Sequence, residues 1–420
     1  MTVLALMLGT FQFISTIQIH RQMLLEKYSP TIYTYFTPEH NRELSSMRWR
    51  LEDQSAPAER ETPKYSRRHL LANRAQWERL GSGFEGEVFA YRDVVVKIFK
   101  PENAPFRDCV PSRGLELRWP TEITASIMLG GMADGNSTLS NGSYLPVVDY
   151  FLSPSAGNGR SKWHLLTPFL AAGNLKQLSR HLRRSDTIHT ARDLDVIFRP
   201  SFDRLLDALD TMHTEYNLCH DDVRPDNIFL RSPDVDTGEY TRPETTTHWM
   251  LADLGNVREP SHPYHSSMLW FGLNSNLPDC RANDVFRLVK SYVMFLRSSV
   301  KDVAAFDVQF LDGAQPWSRM FWATRKDADL RQPVSAARTK QLSTTKHRAG
   351  SSDVHDAVRR SSGSLESGTA VSRVVADRDH VVAAGVLNAL KISAAESVAR
   401  RWGLVPLLGV PVGDCRGGIA

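Results

Sequence analysis

The stretch that most constrains this chain is 219–230, a polar loop placed between two strongly apolar patterns. Apolar residues recur at helical spacing over 194–213, which predicts a long helix with one buried face. The run 228–230 is apolar and β-prone, which predicts a strand. Asp222 and Asn227 lie five positions apart in the loop between them. A rigid loop of this kind can aim a carboxylate at a substrate hydroxyl and an amide oxygen at a metal ion.

Length and composition favour a globular protein of ordinary type. The chain has 420 residues, of which 41% are hydrophobic and 9% aromatic. It can form two or three domains, or one large domain with appendages. The net charge is only +4 and is dispersed along the chain. We therefore expect a solvated surface of mixed charge and no nucleic-acid partner.

The cysteines indicate a reduced, intracellular type of protein. There are only four, and none has a close neighbour of its kind in the sequence: Cys109, Cys219, Cys280 and Cys415. No zinc-binding spacing occurs, and a disulfide framework is not expected in a chain of this length.

The segment 2–19 carries no charged side chain and is mostly apolar. Two interpretations stay open: a membrane anchor spanning 1–22, at the lower limit of length for a transmembrane helix, or an N-terminal helix packed on the protein. Arg21 and Lys27 follow the segment. An anchor would therefore leave the rest of the chain cytoplasmic by the positive-inside rule. Without an anchor we expect a soluble cytoplasmic protein.

A glycine-rich turn opens the main domain, and five of its residues are candidates for binding phosphate groups: Gly81, Ser82, Gly83, Gly86 and Val88. The glycines let backbone N–H groups approach a phosphate oxygen without a Cβ in the way. The turn leads into a strand and not into a helix, which argues against a dinucleotide-binding fold. Lys97 follows between Val96 and Ile98 and brings a positive charge to the same place. Its alternative is a solvent-facing lysine on an edge strand.

Glu122 is the candidate partner of Lys97. It stands in the first turn of a helix predicted over 119–131, which has Pro120 near its start and glycines at its end. A glutamate that only satisfies the helix dipole is the alternative. Glu116 competes for the same role.

A second carboxylate follows a predicted strand at 248–252. Asp253 begins the triplet Asp253-Leu254-Gly255, and its oxygens are the hard ligands that Mg²⁺ requires. Taken in order, the glycine turn, Lys97, Glu122, the His220-to-Asn227 loop and this triplet resemble the eukaryotic-type protein kinase domain over about 77–322. The resemblance implies an α+β, two-lobe protein kinase-like fold, with a small β-rich N-lobe and a larger helical C-lobe.

The resemblance also implies roles and cofactors. Asp222 would accept or orient the proton of the substrate hydroxyl, and Arg224 would stand near the transferred phosphate. Asn227 and Asp253 would hold Mg²⁺, and Lys97 would grip the phosphates of ATP with support from Glu122.

A hinge between the two lobes is also expected from the resemblance. Backbone groups at Phe169 and Leu170 would hydrogen-bond the adenine of ATP, although Pro168 removes one donor.

Three departures from the family pattern bear on regulation and substrate. Asp221 stands where the family has an Arg that pairs with a phosphorylated segment, so switching by that route is not expected. The Ala-Pro-Glu triplet is missing, and the chain after Leu296 is divergent, which weakens the case for peptide docking. Asp284 resembles the helix aspartate that braces the catalytic loop, with a simple acid in the first helical turn as its alternative.

The chain thus divides into an apolar segment 1–22, a linker 23–75, a kinase-like domain 76–325, a disordered linker 326–380 and a tail 381–420 that contains a helix pattern. The expected function is transfer of the γ-phosphate of ATP to a Ser or Thr hydroxyl of a protein, with Mg²⁺. A small-molecule acceptor and a catalytically weak pseudokinase or scaffold are the alternatives. The identity of the substrate and the oligomeric state stay open.

Overall fold

A computed structural model describes most of the chain: residues 2–31, 67–83, 85–100, 108–109, 118–133, 142–153, 162–185, 189–231, 248–270, 277, 279–330 and 397–409. Most of the expected disordered linker 326–380, most of the linker 23–75 and the competing Glu116 lie outside these residues. Residues 326–330, predicted as the start of the disordered linker, are helical. The helices in chain order up to residue 330 are α1 (Thr2–Lys27), α2 (Arg67–Ala72), α3 (Thr121–Gly130), α4 (Leu175–Arg184), α5 (Ala191–Thr214), α6 (Cys280–Ser299), α7 (Val303–Asp312) and α8 (Pro316–Leu330). A further short helix spans Val405–Leu408.

The strands in chain order are β1 (Glu78–Ser82), β2 (Gly86–Tyr91), β3 (Val94–Phe99), β4 (Asp108–Cys109), β5 (Arg118–Trp119), β6 (Asp149–Ser153), β7 (Lys162–Pro168), β8 (Ile228–Arg231) and β9 (His248–Leu251). The structure is therefore a mixture of helices and antiparallel sheet, which confirms the α+β composition expected from the sequence.

The main sheet has five antiparallel strands in the order β1-β2-β3-β7-β6. In the central strand β3, Val94, Val96 and Ile98 are buried and alternate with less buried neighbours, as expected for a strand with one face on a core. These side chains form a small apolar cluster with Trp77 and Tyr91. Lys97 lies in the same strand on the opposite face.

A second and larger core surrounds α5. This helix begins with a capping box between Thr190 and Asp193, and its apolar face is buried along the whole length. It packs against α6 and β9. The rings of Phe198, Trp249 and Phe295 meet at centroid distances of 5.2 to 5.8 Å. This core carries the loop that follows α5 and fixes its position.

The strands β8 and β9, which follow that loop in the sequence, pair as a hairpin. Ile228 pairs with Leu251, and Arg231 pairs with His248. Because the pairing is antiparallel, the residue before β8 and the residues after β9 lie side by side. The hairpin therefore brings two distant loops together.

Helix α1 continues to Lys27, past the boundary at residue 22 that the sequence predicted. Its C-terminal end packs on the protein: Leu24 and Tyr28 are buried with Ala399. Arg400 donates to the Tyr28 hydroxyl at 3.1 Å. The N-terminal part of α1 is exposed. Among the described residues, no helix combines the length and apolar character needed to cross a lipid bilayer.

Residues 397–402 are helical, as the pattern in 381–402 predicted for this part of the tail. The ring of Trp402 meets that of Phe13 edge to face at 5.4 Å. The remainder of that predicted helix lies outside the described residues.

Candidate active site

The hairpin β8–β9 positions two of the predicted site residues. Asn227 directly precedes β8, and Asp253 follows β9 by two residues. The Ala252 N–H donates to the Asn227 carbonyl at 2.9 Å, which extends the pairing one step beyond the strands. Asp253 has φ of +58°, a left-handed conformation that is costly for a residue with a side chain. Such strain persists where the surrounding structure fixes it, and it is concentrated at functional sites.

Asn227 also fixes Asp222. Its Nδ2 donates to the Asp222 carbonyl at 3.0 Å and to Asp222 Oδ2 at 3.2 Å. Because both bonds use the amide nitrogen, the Oδ1 atom of Asn227 is left as an acceptor. The spacing of five residues therefore has a direct structural reason in this loop.

Lys97 forms an ion pair with Glu122, and its Nζ lies 3.6 Å from Asp253 Oδ1. Burial lowers the pKa of Lys97, but the Glu122 and Asp253 carboxylates raise it more, so the net pKa lies above its usual range. Lys97 thus joins β3 and α3 to the end of the hairpin as a permanent cation. The alternative of a solvent-facing edge lysine is wrong, since β3 lies inside the sheet and the ammonium is buried.

The pKa values of Asp222 and Asp253 are shifted in opposite directions. Burial raises the pKa of Asp222, and the charge of Asp253 raises it further, although Arg224 opposes this. The pKa of Asp253 is also raised by burial, but Lys97, His220 and Arg224 together lower it more, and the net pKa is below its usual value. Arg224 is half exposed and its Nε lies 3.9 Å from Asp222 Oδ2. Two carboxylates with separated pKa values suit separate tasks, one handling a proton and one remaining an anion.

The glycine turn lies between β1 and β2. The Gly83 N–H donates to the Gly86 carbonyl at 2.8 Å. A Cβ on Gly86 would lie 2.5 Å from the Ile98 carbonyl oxygen, so close packing on β3 requires this glycine. At Gly81 and Gly83 a Cβ would meet nothing within 4 Å. The space beside those two glycines is therefore open, and packing does not require a glycine at either position, although the Gly83 N–H is already bonded to Gly86.

The remaining residues predicted around the turn lie nearby. The ammonium of Lys100 contacts Ser82 Oγ at 3.3 Å and the Gly83 carbonyl at 3.2 Å. Val88 in β2 pairs with Lys97 in β3, so both residues lie in the strands next to the glycine turn.

The segment after β7 is partly engaged with the protein itself. The Phe169 N–H donates to the Asp93 carbonyl at 2.8 Å, and the Leu170 carbonyl accepts from the Gly173 N–H at 2.9 Å. The Phe169 N–H is therefore not available to donate to a ligand, whereas the Leu170 carbonyl keeps one lone pair for a second bond.

Asp284, in helix α6, holds the backbone of the loop that carries Asp222. Its two carboxylate oxygens accept the His220 N–H at 2.6 Å and the Asp221 N–H at 2.9 Å. This confirms the bracing interpretation and excludes a simple first-turn acid. His213 Nε2 lies 3.2 Å from the same carboxylate.

One prediction about the cysteines is wrong. Cys219 and Cys280 form a disulfide across 61 residues, with their Cα atoms 5.9 Å apart. The physical reason is the bracing of the loop by α6, because Asp284 draws the start of α6 against the residues that precede Asp222. Sequence spacing alone gave no sign of this proximity.

Sequence reasoning also missed Arg258 and His265. Both contact the Asp221 carboxylate, Arg258 through Nη1 at 3.1 Å and His265 through Nε2 at 2.8 Å. No short motif joins these residues, which lie 37 and 44 positions from Asp221. The negative charge at Asp221, where the resemblance described above would place an Arg, was the one available signal.

No protein-family model matches this chain, and no curated protein is similar to it. The interpretation of the site therefore rests on its own geometry and chemistry.

Proposed function

We propose that this chain is an ATP- and Mg²⁺-dependent phosphotransferase with a two-lobe, protein kinase-like fold, and that it transfers the γ-phosphate of ATP to a Ser or Thr hydroxyl of a protein. One observation carries the proposal. Lys97, Asp253 and the loop pair Asp222 and Asn227, from three separate stretches of the sequence, lie together where the sheet meets the hairpin.

The residues fit the groups that the proposal requires. Mg²⁺ prefers hard oxygen ligands. Asn227 has its amide nitrogen committed to Asp222, and the lowered pKa of Asp253 keeps its carboxylate ionised. Both can therefore offer oxygen to the ion, which would neutralise charge on the phosphates when bound. The open space beside Gly81 and Gly83 and the positive charge of Lys97 suit the phosphates of ATP.

The chemistry assigned to the chain itself is orientation and proton transfer. Asp222 accepts a hydrogen bond from the acceptor hydroxyl and takes its proton as the new bond between oxygen and the γ-phosphorus forms. The bond from that phosphorus to its bridging oxygen breaks, and ADP leaves. The raised pKa of Asp222 suits a group that receives a proton. Arg224, next to it, offers a positive charge to the transferred group.

The test compares the full chain with Asp222→Asn in two assays. With radiolabelled ATP, Mg²⁺ and a library of Ser/Thr peptides, we expect wild-type transfer and a loss of about 10³-fold or more in the variant. Thermal shift with Mg²⁺-ATP should be retained in both proteins, since Asp222 is not assigned to ATP. A control is Asp226→Asn, which changes a half-exposed carboxylate of the same loop. Equal turnover in Asp222→Asn would contradict the proposal.

A small-molecule acceptor is the second candidate, and one observation favours it. The segment after Asp253, where the resemblance places peptide docking, is partly covered by α1. Arg258 Nη2 donates to the Lys27 carbonyl at 3.3 Å, and His262 Nε2 lies 3.0 Å from the Ser29 carbonyl. A covered segment leaves less room for an extended peptide but does not obstruct a small alcohol.

A panel of amino alcohols and sugars against the peptide library, with the same labelled ATP, separates the two acceptors. Transfer to peptides alone supports the first candidate, and transfer to small alcohols alone supports the second. If Mg²⁺-ATP gives neither a thermal shift nor transfer, the pseudokinase alternative is favoured instead.

A further inference from the structure

A buried cluster of charges lies directly behind Asp222. The Asp221 side chain is 1% exposed, as is that of Arg258, and His265 is 5% exposed. Arg258 and His265 both contact Asp221 Oδ2. A buried carboxylate depends on its hydrogen-bond donors in a low-dielectric interior, so removing Arg258 would leave Asp221 with His265 alone as its side-chain partner.

Arg258 connects this carboxylate to several other parts of the chain. Its backbone exchanges two hydrogen bonds with Cys219, at 2.7 and 3.0 Å. Its Nη1 also donates to the Asn256 carbonyl at 2.7 Å, and its guanidinium lies 4.6 Å from the centre of the Tyr264 ring. Through its backbone and its side chain, Arg258 thus links the segment after Asp253 to the loop that carries Asp222.

The backbone of Asp221 is held at both its N–H and its carbonyl. Its φ is +63°, in the left-handed region that a residue with a side chain adopts only when its surroundings impose it. Its N–H is held by Asp284, and its carbonyl accepts from Arg287 at 2.6 Å. The conformation at Asp221 sets the direction in which the next residue, Asp222, leaves the loop.

We propose that Asp221, Arg258 and His265 form a positioning triad that holds Asp222 in the orientation needed for transfer, with Arg258 as a built-in counter-charge. The proposal rests on the proposed function. Because the partner of residue 221 is an arginine of the chain itself, the loop is ordered without a phosphate on the following segment. Arg258 and His265 are positioning residues, since neither touches the reacting atoms.

The first test separates turnover from ATP binding. In Arg258→Gln we expect kcat to fall by about 10²-fold with the KM for ATP nearly unchanged, because a displaced Asp222 costs rate and not affinity. Arg258→Lys keeps the charge and should recover about a tenth of wild-type kcat or more. The double variant Asp221→Asn/Arg258→Gln removes the carboxylate together with its arginine counter-charge, so its kcat should be no lower than that of the less active single variant. Losses of kcat that simply add would overturn the triad.

The second test does not need turnover. Amide hydrogen exchange at 219–222 should become about tenfold faster or more in Arg258→Gln, while the amides of α5 stay protected. Unchanged exchange at the loop, or uniform loss of protection with loss of the folded signal in circular dichroism, overturns the triad even if the chain is an active kinase. Faster exchange confined to the loop, together with no transfer by the wild type, supports the triad as a brace of the loop and overturns the proposed function instead.

Discussion

Asp284 accepts the backbone N–H of His220 at 2.6 Å, although 64 residues separate them in the sequence. The contact joins helix α6 to the loop that carries Asp222, and a second bond from the same carboxylate holds the next N–H. A fully buried carboxylate with two backbone donors is a strong structural link. The orientation of the candidate active site therefore depends on a helix that contributes no residue to the chemistry.

Replacing Asp284 by Ala should strongly destabilise the protein. Two buried N–H groups would lose their acceptor, at about 1–3 kcal/mol each. Urea unfolding followed by circular dichroism measures the loss. Asp279→Ala is the matched control, because Asp279 caps the same helix at its exposed end and should cost only about 1 kcal/mol. Equal losses in the two variants would contradict the bracing role.

Reducing the disulfide should lower the stability as well. Closing a loop of 61 residues stabilises the folded state by about 4 kcal/mol in the chain-entropy relation. We expect the Tm of the wild type to drop on addition of dithiothreitol, and the Tm of Cys219→Ser/Cys280→Ser to be low with or without it. Free thiols at both positions in the non-reduced protein, detected by alkylation and mass spectrometry, would contradict the pairing.

Two glycines of the same turn should respond differently to alanine. Gly86→Ala forces a Cβ against the Ile98 carbonyl and should cost about 1–3 kcal/mol in unfolding experiments. Gly83→Ala meets open space and should leave the Tm unchanged, while raising the KM for ATP if the turn covers the phosphates. A Gly86→Ala protein as stable as the wild type would show that β2 and β3 are less closely packed than described.

Glu122→Gln should impair catalysis without unfolding the protein. It keeps the shape of the side chain but removes the charge that pairs with Lys97, so Lys97 would be drawn toward Asp253. We expect kcat/KM for ATP to fall by about 10- to 100-fold. Glu87→Gln, which breaks an exposed pair with Arg79 on the same sheet, should change neither activity nor stability. The reverse ranking of the two variants would contradict the role of Glu122.

Because of His265, the stability of the fold should decrease as the pH rises above neutrality. Burial lowers its pKa, but Asp221 raises it more, and the net pKa lies above the ordinary 6.5. A raised pKa stabilises the fold fully below pH 6.5, and this contribution disappears as the pH rises through the folded-state pKa. The titratable groups around the ring are Asp221, Arg258, His262 and Tyr264, and the Pro260 carbonyl and the Trp270 ring also contact it.

Thermal unfolding across pH 6 to about 9 measures this effect. The wild type should lose stability over the alkaline part of that range relative to His265→Gln. Asp221 does not contribute there, because its pKa is lowered to about 2 by His265 and Arg258 despite its burial. Parallel curves for the two proteins would exclude a charged His265 in the folded state.

The parts of the structure that follow from local pattern were predictable from the sequence. Helix α5 was evident because its apolar residues recur every three or four positions over 194–213. The strands β8 and β9 were evident as two apolar runs, but their pairing into a hairpin was not. Asp222, Asn227, Asp253 and Lys97 could be singled out because each belongs to a motif with a chemical reason.

Contacts between distant stretches could not be predicted in this way. Nothing near Asp221 indicates Arg258 or His265, and nothing near Cys219 indicates Cys280. These pairs arise only when α6 and the segment after Asp253 pack against the loop, which is decided by the whole core. The dual interpretation of Asp284 had the same origin, since a first-turn acid and a brace are identical in sequence.

The packing of α1 against the tail has a consequence for biosynthesis. Tyr28 and Arg400 are 372 residues apart. At about 5–20 residues per second, a ribosome needs roughly 20–75 s to deliver the partner of a helix already made. During that interval Leu24 and Tyr28 lack their buried surroundings, and α1 stays available to chaperones. Contacts of such long range also slow folding after release. The packing of α1 is therefore completed only after residues 399 and 400 have been synthesised.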